Sequence, residues 1–141
     1  MRTDEDTRAG PTVEGVGRAL PGPWRSQDEI LSGLKAVWDD LYYDDEWLEH
    51  FFGSVGVDGR HLALAPEAYL DIDDFGDANG HWVERATELG ARALEDAFET
   101  AGIDLEELDA LFFTTVTGVA SPSIDAKIIN ELELPRHTRR T

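Results

Sequence analysis

Cysteine is absent from the 141 residues. Its absence excludes disulfide scaffolds, thiolate zinc sites and any cysteine nucleophile within this chain. Positive charge is scarce as well, with 12 Lys and Arg against 30 Asp and Glu and a formal charge of −18. Such a balance repels phosphate backbones and anionic lipid headgroups alike, so neither a nucleic acid nor a membrane is expected as a partner. Long apolar runs are missing too. The opening MRTDEDTRAG has no apolar signal core, and the most apolar stretch, Ala110 to Ala120, is interrupted by threonines and Gly118 and is too short to span a bilayer. A soluble, cytoplasmic protein is expected. At this length a single fold buries on the order of 68% of its unfolded surface, enough for a core without staples.

What is present reads as alternating elements. Residues 1–11 are polar and end in Pro11, a disordered lead-in, and residues 12–141 are read as one domain. Thr12 to Leu20 is a strand candidate stopped by Pro21-Gly22-Pro23. Ser26 is an N-cap for a helix over Gln27 to Leu41, with Asp28 and Glu29 in its first turn and Ile30, Leu34 and Val37 on one face. A second acidic helix covers Asp45 to Phe52. A turn at Asp58-Gly59 leads to a strand at His61 to Ala65, closed by Pro66, and Glu67 to Gly80 reads as loop.

The longest periodic element is a helix over Asn79 to Ala101. Ala86, Gly90, Ala93, Ala97 and Ala101 recur every three or four positions and form a stripe that lets another backbone approach. Glu84, Arg85, Glu88, Arg92, Glu95 and Glu99 face water, and Gly102 supplies the stop. Asp109 to Thr117 is a continuous apolar and β-branched run, the pattern of a strand covered on both faces. Ser121 as N-cap, Pro122 at the first helical position and Asp125 in the first turn open a further helix with Ile124, Ile128, Ile129 and Leu132 on its core face, ended by Pro135. Helix, buried strand, helix is an α/β order, and the sequence stops where a βαβ pattern requires its next strand.

Few constellations carry chemistry. Asp71, Asp73 and Gly76 match the start of a calcium loop, but its fifth and twelfth positions are Phe75 and Trp82, so a solvated acidic loop is expected and no metal site. Asp39-Asp40 and Asp44-Asp45-Glu46 around Tyr42-Tyr43 read as the exposed junction of two helices. His50, His61, His81 and His137 have no metal-ligand spacing and are assigned structural or surface roles. Gly15-Val16-Gly17 lacks the rest of a dinucleotide fingerprint, and Gly53-Ser54-Val55-Gly56 is not a nucleophile elbow. One place has a physical argument. Val116 to Ser121 lie at the carboxyl end of the strand and the amino end of the next helix, where open α/β sheets bind ligands; equally, the threonines serve there as strand residues and Ser121 as a cap.

The run LFFTTVTGVASPSIDAKIINELEL, Leu111 to Leu134, resembles the N-terminal half of type III polyketide synthases, the chalcone and stilbene synthase family. GVGRALP near Gly15, GVDGRHLAL at Gly56 to Leu64 and the Ala-rich helix leading to AGIDLEELDAL extend the resemblance over most of residues 12–141. These upstream pieces are shared with the wider thiolase-like superfamily, including β-ketoacyl synthase III.

The resemblance implies a thiolase-like layered α/β fold, here its N-terminal fragment, with a mixed sheet, a buried central helix and normally a homodimer. It implies an acyltransferase that loads an acyl group from coenzyme A onto a cysteine and extends it with malonyl-CoA by decarboxylative Claisen condensation. The substrates are coenzyme A thioesters and no separate cofactor is implied. The cysteine, histidine and asparagine of that chemistry fall outside the matching region, so no catalytic residue is assigned; the cysteine belongs to a strand and turn expected shortly after Thr141. Carried over residue by residue, Thr117 and Val116 match the wall of the starter and elongation cavity, an apolar Val116 fitting an aliphatic starter. Ser121 matches a residue that in plant members reaches into the partner subunit's cavity. The basic cluster for the coenzyme A phosphates maps near Trp47 to Ser54, where His50 alone is a candidate cation. Phe112 and its neighbours are expected inside a layered architecture completed, with the reactive sulfur, from elsewhere. The isolated chain is expected to be inactive and marginally stable. A β-ketoacyl synthase III-like fragment and a non-catalytic acidic module pairing with a full synthase are the alternatives.

Overall fold

The computed structural model describes residues 10–37 and 44–141, with the Val37 side chain left out. Most of the lead-in and the Asp39-Asp40 and Tyr42-Tyr43 part of the acidic junction lie outside these residues, as does the expected helix end at Leu41.

Helix α1 spans Gln27–Val37 and begins as expected at Ser26. Ser26 and Glu29 cap it reciprocally: the Glu29 N–H donates to Ser26 Oγ at 3.2 Å, and the Ser26 N–H donates to Glu29 Oε2 at 2.8 Å. This is a capping box, which satisfies two backbone donors at once. Helix α2 spans Asp45–Ser54, capped by Asp44. Lys35 of α1 ties the two helices together, 2.7 Å from Glu49 and 3.4 Å from Asp45.

Strand β1, Trp24–Ser26, pairs antiparallel with β2, Gly59–His61. The second strand therefore lies two residues before the expected His61 to Ala65, because its partner is the short stretch between the proline breaker and α1. His61 Nδ1 lies 3.1 Å and 3.0 Å from the Pro21 and Gly22 carbonyls and ties β2 to that breaker. Glu67 to Gly80 is not simply loop. A 3-10 helix covers Pro66–Asp71, and α3 already starts at Phe75, four residues before Asn79, because Asp74 accepts the Asp77 N–H as a side-chain cap.

Helix α3, Phe75–Ala101, ends at Gly102, whose positive φ of 67° closes it as expected. Its small-residue stripe has two partners. On one side Gly15 and Gly17 lie against the backbone at Ala93 and Ala97, where a Cβ on either glycine would collide with helix main-chain atoms. On the other side Gly90 meets Ile128, and the core forms from Ala91, Ile124 and Ile128 with Trp82, Leu94, Leu111 and Phe113 packed around them. Arg85 and Glu88 are half-buried rather than fully in water, paired at 2.7 Å.

The expected strand over Thr12 to Leu20 has no regular secondary structure and no ladder partner among the described residues. Its glycines face α3 while Val13 and Val16 point outward. The expected strand over Asp109 to Thr117 is likewise cut to β3, Ala110–Leu111. A ladder bond from the Phe113 N–H to the Thr141 carbonyl (2.9 Å) prolongs its pairing slightly. One face of this run is covered: Leu111 and Phe113 pack on the core, whereas Phe112 is 75% exposed. Coverage on both faces fails because α3 and α4 pack on a single side of the strand and nothing among the described residues covers the other. For the same reason Phe112 does not occupy an interior in this chain.

Helix α4, Ile124–Glu131, has its N-cap position at Ser123, whose side chain makes no capping bond, and not at Ser121. Starting there buries Ile124 and Ile128 together, one turn apart on the core face. The helix stops at Glu131, ahead of Pro135, because Glu133 adopts a left-handed φ of 50° and the Leu134 N–H donates back to the Ile129 carbonyl at 3.0 Å. Strand β4, Arg139–Arg140, then pairs parallel with β3. The next strand of the βαβ unit thus opens within the chain, before Thr141.

Candidate functional site

The β3–α4 connection is built around a turn held from a distance. Beyond Phe113 the Thr115 hydroxyl accepts the Thr117 N–H at 3.2 Å, which folds the chain back on itself. Asn79 on α3 then grips Val119: its Nδ2 donates to the Val119 carbonyl at 2.8 Å, and its Oδ1 accepts the Val119 N–H at 2.9 Å. Trp82, three residues along α3, packs so closely on Gly118 that a Cβ there would overlap the indole.

Below the turn lies an open cleft of about 570 Å³, lined among others by Trp82, Phe113, Thr115, Ser123, Asp125 and Arg140. Asp125, in the first turn of α4, is 6% exposed and lies 3.7 Å from the Arg140 guanidinium of β4. The pair links the amino end of α4 to the strand it precedes. A carboxylate at that end is also favoured by the helix dipole.

The sequence-derived residues sit at the rim of this arrangement. Val116 and Thr117 project from the turn, Val116 fully exposed, and Ser121 is exposed just before the cis peptide bond to Pro122. The structure brings Val116 and Thr117 onto one turn with Ser121 close behind, and none of the three lines the cleft. Sequence reading missed Asn79, Trp82 and the Asp125–Arg140 pair as a group. No local signal marks Asn79, since its partner is 40 residues away.

At Trp47 to Ser54, Trp47 and Phe51 stack at 5.3 Å on the exposed side of α2. A second cleft of about 640 Å³ lies between α1 and α2. The cation lining it is Lys35, and the Glu49 side chain, followed by Asp45, holds its pKa above the ordinary lysine value.

No family model matches the chain. It is 33% identical over 131 residues to a 1,3,6,8-tetrahydroxynaphthalene synthase of Streptomyces peucetius subsp. caesius, an alignment covering 93% of this chain and 35% of that protein. It is also 33% identical over 130 residues to a 3,5-dihydroxyphenylacetyl-CoA synthase of Amycolatopsis balhimycina, covering 90% and 33%. The chain thus spans about a third of the length of the curated relatives it matches. Among solved structures, PKS-I of the brown alga Ectocarpus siliculosus superimposes with a TM-score of 0.76 at 20% identity, covering 92% of this chain and 38% of that one. A type III pentaketide synthase of Neurospora crassa gives 0.75 at 15%, covering 92% and 35%. The chain has the fold of a portion of these synthases, an α/β architecture, and the resemblance in Leu111 to Leu134 extends along nearly the whole chain.

Proposed function

We propose that this chain is the N-terminal part of a type III polyketide synthase-like acyltransferase that condenses an acyl-CoA starter with malonyl-CoA. The observation that carries the reading is the alignment of nearly the whole chain with a third of a tetrahydroxynaphthalene synthase. The matching strand–turn–helix fold supports it independently.

In the reaction a cysteine thiolate takes the acyl group and releases coenzyme A as its thiolate. Malonyl-CoA then loses CO₂, and the resulting enolate attacks the acyl thioester to form the new C–C bond and free the cysteine. Histidine and asparagine donors stabilise the enolate and oxyanion charges. All three groups are supplied outside residues 1–141. The chain contributes a wall: Thr117 and Val116 border the acyl group, and Ser121 faces a partner subunit in a homodimer. The β3–α4–β4 order supports this division. β4 runs beside β3, so a nucleophile carried just beyond β4 lies next to the turn that bears Val116 and Thr117. Coenzyme A thioesters are the only ligands the reaction needs.

Radiolabelled malonyl-CoA with a fatty acyl-CoA tests the proposal. The complete polypeptide carrying this segment is expected to form a labelled, chain-extended product, and residues 1–141 alone none. Product from the 141-residue chain by itself, or none from the complete polypeptide, contradicts it.

A further inference from the structure

The residue that fixes the β3–α4 turn is not on it. Asn79 sits in the second turn of α3, and its carboxamide makes both hydrogen bonds that a paired backbone residue would make, one accepted and one donated, with the main chain of Val119. Trp82 on the same helix face closes on Gly118, so the turn is held from two points of one rigid helix. Val116 and Thr117 directly precede the held residues and, beyond the Thr115 hydroxyl at the Thr117 N–H, have no other side-chain anchor among the described residues.

We propose that Asn79 is a positioning residue for the acyl cavity: by gripping Val119 it sets where Val116 and Thr117 stand against the starter chain. This rests on the functional reading above. An alanine at 79 removes both bonds, whereas an aspartate keeps the acceptor for the Val119 N–H and loses the donor.

Two measurements decide it. In the 141-residue chain, Asn79→Ala is expected to speed amide exchange at Val119 about tenfold relative to Ala91 in the core, the effect of losing one net hydrogen bond, and Asn79→Asp to keep most of the protection. In the complete polypeptide, Asn79→Ala is expected to change the ratio of kcat/KM for octanoyl-CoA to that for acetyl-CoA, with Asn79→Asp closer to the parent. Exchange at Val119 that is unchanged, or that rises only in step with Ala91, overturns the clamp. Faster exchange with an unaltered substrate ratio overturns the positioning role. A complete polypeptide that does not condense acyl-CoA and malonyl-CoA sinks the functional reading instead, and the exchange comparison still decides whether Asn79 holds the turn.

Discussion

Gly17 lies where the backbone of α3 leaves no room for a side chain, since a Cβ would meet the Ala93 carbonyl and the Ala97 amide. Main chain in a helix cannot move aside. Gly17→Ala is therefore expected to destabilise the chain by about 1–3 kcal/mol, the usual cost of overpacking. Gly90 is crowded instead by the flexible tip of Ile128, and Gly90→Ala also gains up to about 1 kcal/mol of helix propensity. Urea denaturation of the two variants is expected to give a clearly lower midpoint for Gly17→Ala than for Gly90→Ala; equal midpoints would contradict this packing. The stripe of small residues was legible from its spacing. Its occupant was not, because a stripe shows that something approaches closely without showing what, and Gly15-Val16-Gly17 carries no local mark of lying on a helix 80 residues away.

Among the elements, the helices were the legible part. Caps and a 3.6-residue period are local signals, and Ser26, Asp44 and Gly102 close helix ends with bonds to neighbours in sequence. The start of α4 lies beyond Ser121 because burial of Ile124, not a serine cap, sets it: Ser123 holds the N-cap position without a side-chain bond. Strands were poorly legible: a run such as Leu111 to Thr117 reveals its apolar content but not whether neighbours exist to cover it.

The capping box on α1 also carries a pH dependence. The Glu29 carboxyl is held below its ordinary value first by the Ser26 N–H and then by the Ser26 hydroxyl. Its stabilising effect is thus complete above about pH 4.3, the ordinary glutamate value, and is lost as pH falls through the lowered folded value. Circular dichroism is expected to show the parent losing more helix between neutral and acid pH than Glu29→Gln, whose amide does not titrate in that range. Identical acid profiles would contradict the assignment.

At the scale of the whole molecule the core among the described residues is small, Leu48, Ala91, Ile124, Ile128 and Leu134, while Val13, Val16, Phe112, Val116 and Val119 face outward. Apolar surface of this kind marks a place of association, and the chain alone is expected to bind hydrophobic dyes and to associate as its concentration rises. Phe112→Ser is expected to change the stability of the isolated chain by less than about 0.5 kcal/mol, as at an ordinary surface site, while reducing that association. A loss of several kcal/mol on urea denaturation would mean that Phe112 is already covered.

The central claim is that among the described residues β3 pairs with β4 alone, so that the run beyond Phe113 is left without a strand partner. Amide hydrogen exchange across Leu111 to Thr117 in purified 1–141 tests it most directly. Protection is expected at Phe113, whose N–H is bonded to Thr141, with rapid exchange at Thr114, Thr115 and Val116. Slow exchange through Thr115, together with a sharp cooperative melt of a monomer, would contradict it.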